Sequence, residues 1–383
     1  MPPLPLPREP ARLLTVKGRQ VGFSFWPARP GRQGRHCALQ SLLFALDPWI
    51  VIRRAVETEC PTASRLEALA TLEQARDFFV AGTEGNIVAA RPLVLYYSYM
   101  NLVKAYCLTK GVRTTFDRAR HGLGERLGGQ NREYLDAWLQ VDQSPAAPAT
   151  AQNFDEFKGA LTGTKLAAAT RYDLPMLMPQ VLSGHRHWAQ AAGVQERFIA
   201  FDSIEFWHNP NSNQMWLRMY LFADDLSRLS ITHRRFLNES RLGTLFREVR
   251  VDQPDSGRHR MCLEQITPLR YSNYPLDELN QLSAAVKSLL WVTVSTVQPY
   301  RRYYAYLCPP AEQGSLVEQL LSVYAITFYL GSITRYRPHH YDALFASRWG
   351  PRVQDFVTGQ PAQFLYLMAS EFAGQDVTRP SIL

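Results

Sequence analysis

Lysine is scarce in this 383-residue chain: six of its 42 basic side chains are Lys, and the rest are Arg. Cysteine is scarcer still, at five, an odd number with no two close in sequence (Cys37, Cys60, Cys107, Cys262, Cys308). That spacing argues against a disulfide framework and against a Cys-based zinc site. A long uninterrupted apolar run is also missing. The most apolar segment, 92–109, carries Asn101, Lys104 and four tyrosines, which a lipid-spanning helix tolerates poorly. Residues 1–12 are rich in proline and have no apolar core, so no secretory leader is expected. These absences predict a cytoplasmic protein with no membrane partner.

Complete motifs of known chemistry are absent too. There is no Walker loop, no Gly-x-Gly-x-x-Gly, no Gly-x-Ser-x-Gly elbow and no His-Glu-x-x-His. His339 and His340 are adjacent and cannot readily chelate one ion from one helical face. Glu156 and Lys158 resemble half of a nuclease carboxylate–lysine motif, but no upstream Asp is well placed to complete it. No metal and no cofactor are expected.

What is present is apolar mass and positive charge. Hydrophobic residues make up 46% and aromatics 12%, enough for a large core. The length suggests two or three packed subdomains. A net charge of +8 makes RNA, DNA or an acidic protein a partner to test. Arginine suits bidentate phosphate contacts. A genome rich in G and C produces the same Arg bias with no function attached.

Periodicity places the elements. Residues 36–57 and 64–81 are expected to be helical, the latter with capping-box spacing at Ser64 and Glu67 and a stop at Gly82. Helix 92–109 begins with Pro92 and is apolar on nearly every side, which predicts a buried helix. Gly122, Gly124, Gly128, Gly129, Pro145 and Pro148 signal loops. Further helices are expected near 153–161, 174–192 and 224–238. Residues 197–208 and 214–222 alternate around Asn209–Asn213, which predicts a hairpin. A second hairpin is expected from 244–251 and 259–266 around 252–257, with strands at 290–297 and 301–308, although 278–297 could begin as a helix. Helix 315–334, with capping-box spacing at Ser315 and Glu318, is ended by Pro338, and another helix spans 362–373.

This order lacks regular β–α alternation. It predicts an α+β fold, with N- and C-terminal helices packed as one bundle and a β-rich middle of antiparallel hairpins. The expected divisions are a Pro/Arg-rich arm at 1–34, a helical region at 35–195, a β-rich region at 196–310, and a C-terminal helical region at 311–383 packing on 35–195. The arm could grip a partner or strap the protein's own surface.

Six polar residues on or near the two apolar helices are candidates for chemistry. Arg335 and His340 bracket Arg335-Tyr336-Arg337-Pro338-His339-His340. This resembles the Arg-x4–6-His motif of HEPN-type ribonucleases. Arg335 would hold a phosphate and His340 would act as general acid or base, with no metal. Arg228/His233 and Arg29/His36 satisfy the same spacing. The structural alternative has Arg335 and Arg337 neutralising orphan helix carbonyls. Asn101 and Lys104 share a helical face. With His121 and Arg337 they could bind an anionic ligand, or Lys104 could sit in a structural ion pair.

Two segments carry a family resemblance: 92–105 (Pro92 to Ala105) with His121-Gly122-Leu123 following, and 329–338 (Tyr329 to Pro338). Together they resemble the YaaC-like family of bacterial proteins across roughly residues 40–375. The resemblance implies a bacterial cytosolic protein, and antiphage gene neighbourhoods for its relatives. The first expectation is therefore a defence-system subunit that binds a protein or nucleic-acid partner, with oligomerisation open. The alternatives are a metal-independent RNA endonuclease using Arg335 and His340, and a sensor of a small anionic ligand such as a nucleotide.

Overall fold

The computed structural model describes residues 3–31, 36–127, 134–145, 150–251 and 257–381. The chain divides into two compact units. One comprises Met1–Phe44, Arg197–Gln313 and Gly374–Leu383; the other comprises Ala45–Glu196 and Gly314–Ala373. The fold is α+β.

The second unit is mainly helical, and its core is the helix Arg91–Thr109. Leu95, Tyr96, Tyr99, Leu102, Val103 and Tyr106 are all buried, as a helix apolar on all sides requires. It packs against the helices Thr62–Glu84, Asn153–Thr162 and Gln319–Tyr336. Two glycines set how closely. A Cβ at Gly82 would lie 2.9 Å from Leu95 Cδ2. A Cβ at Gly331 would lie 3.1 Å from Tyr96 Cβ and 3.2 Å from the Pro92 carbonyl oxygen. The helix Pro48–Glu59 packs on Gly350–Ala373. Helices from both sides of the β-rich segment thus share one core. A three-stranded antiparallel sheet (Leu123–Leu127, Ala137–Val141, Thr170–Asp173) completes this unit and touches Gln319–Tyr336.

The first unit is built on a six-stranded antiparallel sheet. Its long hairpin is Ser203–Asn209 with Gln214–Phe222, in the register Trp207↔Trp216. The turn follows from its side chains: Asn209 Oδ1 accepts from the Asn211 backbone N–H at 2.9 Å, and Asn213 takes φ 50°. Arg260–Gln265 and Phe246–Val249 extend the sheet. A second sheet joins Phe198–Ala200, Arg301–Tyr306 and Leu290–Val294.

The start of the chain is strapped onto the larger sheet. Arg12–Leu13 pairs with Ser203–Asn209, the Pro5 carbonyl accepts from Arg250 N–H at 2.9 Å, and Arg8 N–H donates to Glu264 Oε2 at 3.0 Å.

Several local expectations are corrected. Residues 36–57 do not form one helix. The helix starts at Pro48, capped by Asp47 accepting from Trp49 N–H at 3.0 Å. Upstream, Ala38–Leu39 and Leu43–Phe44 pair with Ala28–Arg29 and Val377–Thr378, and these strands belong to the first unit. Long-range strand pairing overrides the local helical pattern there. Ser64 and Glu67 do not cap a helix, because the helix starts earlier, at Thr62. Ser64 Oγ donates to the Thr114 carbonyl at 2.9 Å, and Glu67 Oε1 accepts from Phe116 N–H at 2.8 Å. That helix passes Gly82 and ends at Glu84. Ser315 closes a 3-10 turn, and the helix after it starts at Gln319.

The expected helix 174–192 is broken at Pro179 and at Gly184, which takes φ 73°. Helix 224–238 is broken at Ser230, φ 52°, and restarts with Thr232 accepting from Arg235 N–H. The last helix runs from Gly350 through Pro361. Gly128, Gly129, Pro148 and turn residues 252–256 lie outside the described residues.

Candidate functional site

In the helical unit, a cavity of about 160 Å³ is lined by Tyr96, Tyr97, His121, Glu125, Ser332 and Arg335, among others. Each reaches it for a local reason. Tyr96 and Tyr97 are consecutive on Arg91–Thr109, and Ser332 and Arg335 are one turn apart on Gln319–Tyr336. Glu125 is on the strand Leu123–Leu127. His121 is turned in by Gly122, at φ 73°, where a Cβ would lie 3.2 Å from the Phe154 backbone nitrogen. No other residue fits that position without strain.

Tyr96 Oη and His121 Nδ1 are 2.6 Å apart. Burial holds the Tyr96 hydroxyl well above the ordinary phenol range, so it keeps its proton, and the direction of its hydrogen bond with Nδ1 follows the histidine tautomer. Burial, then the charges of Lys104 and Arg335, lower the His121 pKa below its ordinary 6.5. The imidazole is therefore neutral at pH 7.

Arg335 is exposed, and its Nη1 donates to Tyr97 Oη at 2.8 Å. Its guanidinium lies 4.9 Å from the Tyr336 ring centroid. Among the described residues, Arg335 forms no ion pair. Arg337 differs: its Nη1 donates to Glu125 Oε1, while Ser332 Oγ donates to Glu125 Oε2 at 2.7 Å. Arg337 is thus spent on a carboxylate, and Arg335 is left as the uncompensated cation at the cavity.

The other sequence candidates lie elsewhere. Buried Asn101 donates to Gln74 Oε1 at 3.4 Å and does not line the cavity. Lys104 also stays off the wall. Burial lowers its pKa and Glu67 opposes that shift. His340 belongs to the helix Pro338–Ala346, with its ring 4.2 Å from that of His339, and does not line the cavity. The site therefore joins His121 with Arg335, and with Arg337 through Glu125. Sequence reasoning missed Tyr96, Tyr97, Ser332 and Glu125. The first three lie in the segments that carry the family resemblance; Glu125 carries no sequence signal.

Among the described residues, no group of three or more His, Cys, Asp or Glu side chains could hold a metal ion, and the five cysteines are free. No helix of the described residues is long and apolar enough to cross a membrane. Neither the curated proteins nor the solved structures include a match. One family model, described as YaaC-like Protein, matches residues 46–372. Both cavity-lining helices, the His121 turn and the Glu125 strand fall inside that match, which covers most of the chain. The chain belongs to the YaaC-like family.

Proposed function

We propose that the helical unit binds a small anionic ligand, through a carboxylate or phosphate group, at the His121–Arg335 cavity. The observation that carries this reading is Arg335: a cation with no carboxylate partner among the described residues, set by Tyr97 at the mouth of a cavity that also holds a neutral histidine. The guanidinium supplies charge and directed donors. His121 adds a neutral imidazole. The biological setting we propose is a ligand-responsive subunit of an antiphage assembly.

Thermal shift against inorganic phosphate, acetate, citrate and nucleoside monophosphates tests this. A ligand at about 100 times its Kd stabilises the folded state by about 2.7 kcal/mol. For a unit of this size that raises Tm by roughly 5–10 °C. Arg335→Ala should abolish the shift while changing basal stability by less than about 0.5 kcal/mol, as expected for an exposed side chain. A shift that survives Arg335→Ala, or no shift with any probe, sinks the proposal. Metal-independent RNA cleavage lost in both Arg335→Ala and His340→Ala would support the ribonuclease reading instead.

The pH dependence has a definite sign. Without ligand, His121 titrates below 6.5. A bound anion favours the imidazolium and raises that pKa, so affinity should increase as pH falls from 7 towards 5. Stability of the ligand-free protein runs the other way. The His121 contribution is complete above 6.5 and is lost as pH falls through the folded-state pKa, because the unfolded chain takes up the proton first. Titration calorimetry and urea unfolding across this range check both trends. His121→Gln should flatten both, and an unchanged slope in that variant would show that another group titrates.

A further inference from the structure

The first unit contains a second, larger cavity, of about 680 Å³, within the range of small-molecule sites. Its walls are aromatic: Phe23, Trp26, Tyr300 and Tyr303. The rings are fixed by their neighbours. Phe23 meets Tyr303 edge-on at 4.9 Å, and Phe44 meets Tyr300 edge-on at 4.9 Å. Lys287 Nζ lies 4.5 Å from the Trp26 ring centroid. Phe23, Trp26 and Tyr300 remain partly open to solvent, so their faces are available.

Beneath these rings lies an ion pair. Arg301 Nη1 is 3.1 Å from Asp376 Oδ1, with side chains 4% and 5% exposed. Arg301 Nη2 also donates to the Val377 carbonyl at 2.8 Å. The Tyr303 hydroxyl at this floor is buried without a hydrogen bond among the described residues, while Asp376 Oδ1 has the Arg301 ion pair. Buried polar groups left unpaired are costly and uncommon in native proteins. Tyr303 and Asp376 both line the cavity, which makes a ligand the natural partner of the Tyr303 hydroxyl.

The chemistry narrows the ligand. Beyond its contact with Arg301, Asp376 Oδ1 has a second lone pair to offer an N–H. The Tyr303 phenol donates and asks for an adjacent acceptor. Arg301 already offsets the Asp376 charge, so the group that docks there is neutral. The walls favour a planar π system. A neutral planar ring with N–H donor and acceptor side by side is the hydrogen-bonding edge of a nucleobase, and bases stack on aromatic side chains without needing a particular sequence.

We propose that this cavity binds a nucleobase, stacked on Trp26 and Tyr300, with its edge towards Asp376 and Tyr303. Neither polar atom is open to solvent in the free protein, so binding includes a small shift of the side chains over them. The site is independent of the His121–Arg335 cavity and takes a different chemistry.

Calorimetry and thermal shift with adenosine, guanosine, cytidine and uridine test the proposal, since nucleosides carry no phosphate for Arg335. A single-stranded RNA hexamer forms a second arm, which distinguishes a free base from one presented by a strand. At least one nucleoside or the hexamer should bind. Tyr303→Phe should weaken that binding about tenfold, the loss of one hydrogen bond. The same variant should fold at least as stably as the parent, because it removes an unpaired hydroxyl. Trp26→Ala should weaken binding through lost stacking, and Arg335→Ala should leave it unchanged. Absence of binding by every probe at millimolar concentration overturns the proposal. So does binding that is unaffected by both Tyr303→Phe and Trp26→Ala.

Discussion

Glu264→Gln is expected to destabilise the first unit by about 3–5 kcal/mol, the usual cost of removing one partner from a buried charge cluster. Glu264 is fully buried and serves three arginines. Its Oε2 accepts from Arg218 Nη2 at 3.0 Å, and its Oε1 lies 3.2 Å from Arg247 and 3.4 Å from Arg8. The Arg218 side chain is only 6% exposed. The Trp207 face, 4.1 Å from its guanidinium, helps but carries no negative charge. An amide in place of the carboxylate would keep the shape and remove the charge, leaving Arg218 desolvated without a counter-ion. The strap should loosen as well, because Arg8 N–H loses its charged acceptor. Urea unfolding followed by tryptophan fluorescence gives the change in stability, and proteolysis before residue 12 reports the strap. Arg247→Ala serves as control: its side chain is 42% exposed, so about 0–1 kcal/mol is expected. A loss below about 1 kcal/mol in Glu264→Gln would show that the cluster is solvated, contrary to the burial argument.

Gly331→Leu is expected to cost about 3 kcal/mol and to remove anion binding at the same time. The added Cβ alone would meet Tyr96 Cβ at 3.1 Å, the Pro92 carbonyl oxygen at 3.2 Å and Leu93 Cα at 3.3 Å. The last two are backbone atoms and cannot rotate away, so the two helices must separate. Tyr96 moves with its helix, and its hydroxyl leaves His121. Gly331→Ala should show a smaller loss of the same kind, partly offset by better helix propensity, worth about 1 kcal/mol. Gly359→Ala is the matched control, since nothing lies within 4 Å of its would-be Cβ. That change should be neutral or stabilising. Thermal unfolding and phosphate titration on the three variants check the set. Unimpaired ligand binding by a folded Gly331→Leu protein would separate the cavity from the helix contact.

The elements legible in the sequence were those whose signal is local. Helix Arg91–Thr109 was legible because it is apolar on every side, and the Ser203–Phe222 hairpin because Asn209–Asn213 dictates its own turn. The short strands at 38–44 were not, because their partners, Ala28–Arg29 and Val377–Thr378, lie elsewhere in the chain. Ser64 and Glu67 misled for a related reason. Both have capping chemistry, but a tertiary partner, the 114–116 loop, satisfies their hydrogen bonds instead.

The candidate site divides along the same line. Composition and pattern alone determined that the chain has two buried apolar helices with basic residues on or beside them. They also determined that no complete catalytic or metal motif accompanies those helices. Which basic residues meet was decided only in three dimensions. The close approach at Gly331 and the left-handed turn at Gly122 bring Arg335 and His121 to one cavity. Glu125 neutralises Arg337, while Asn101, Lys104 and His340 are left off the cavity wall. Helical period fixes the face on which a side chain sits. The element that meets that face depends on long-range packing, which no local pattern encodes.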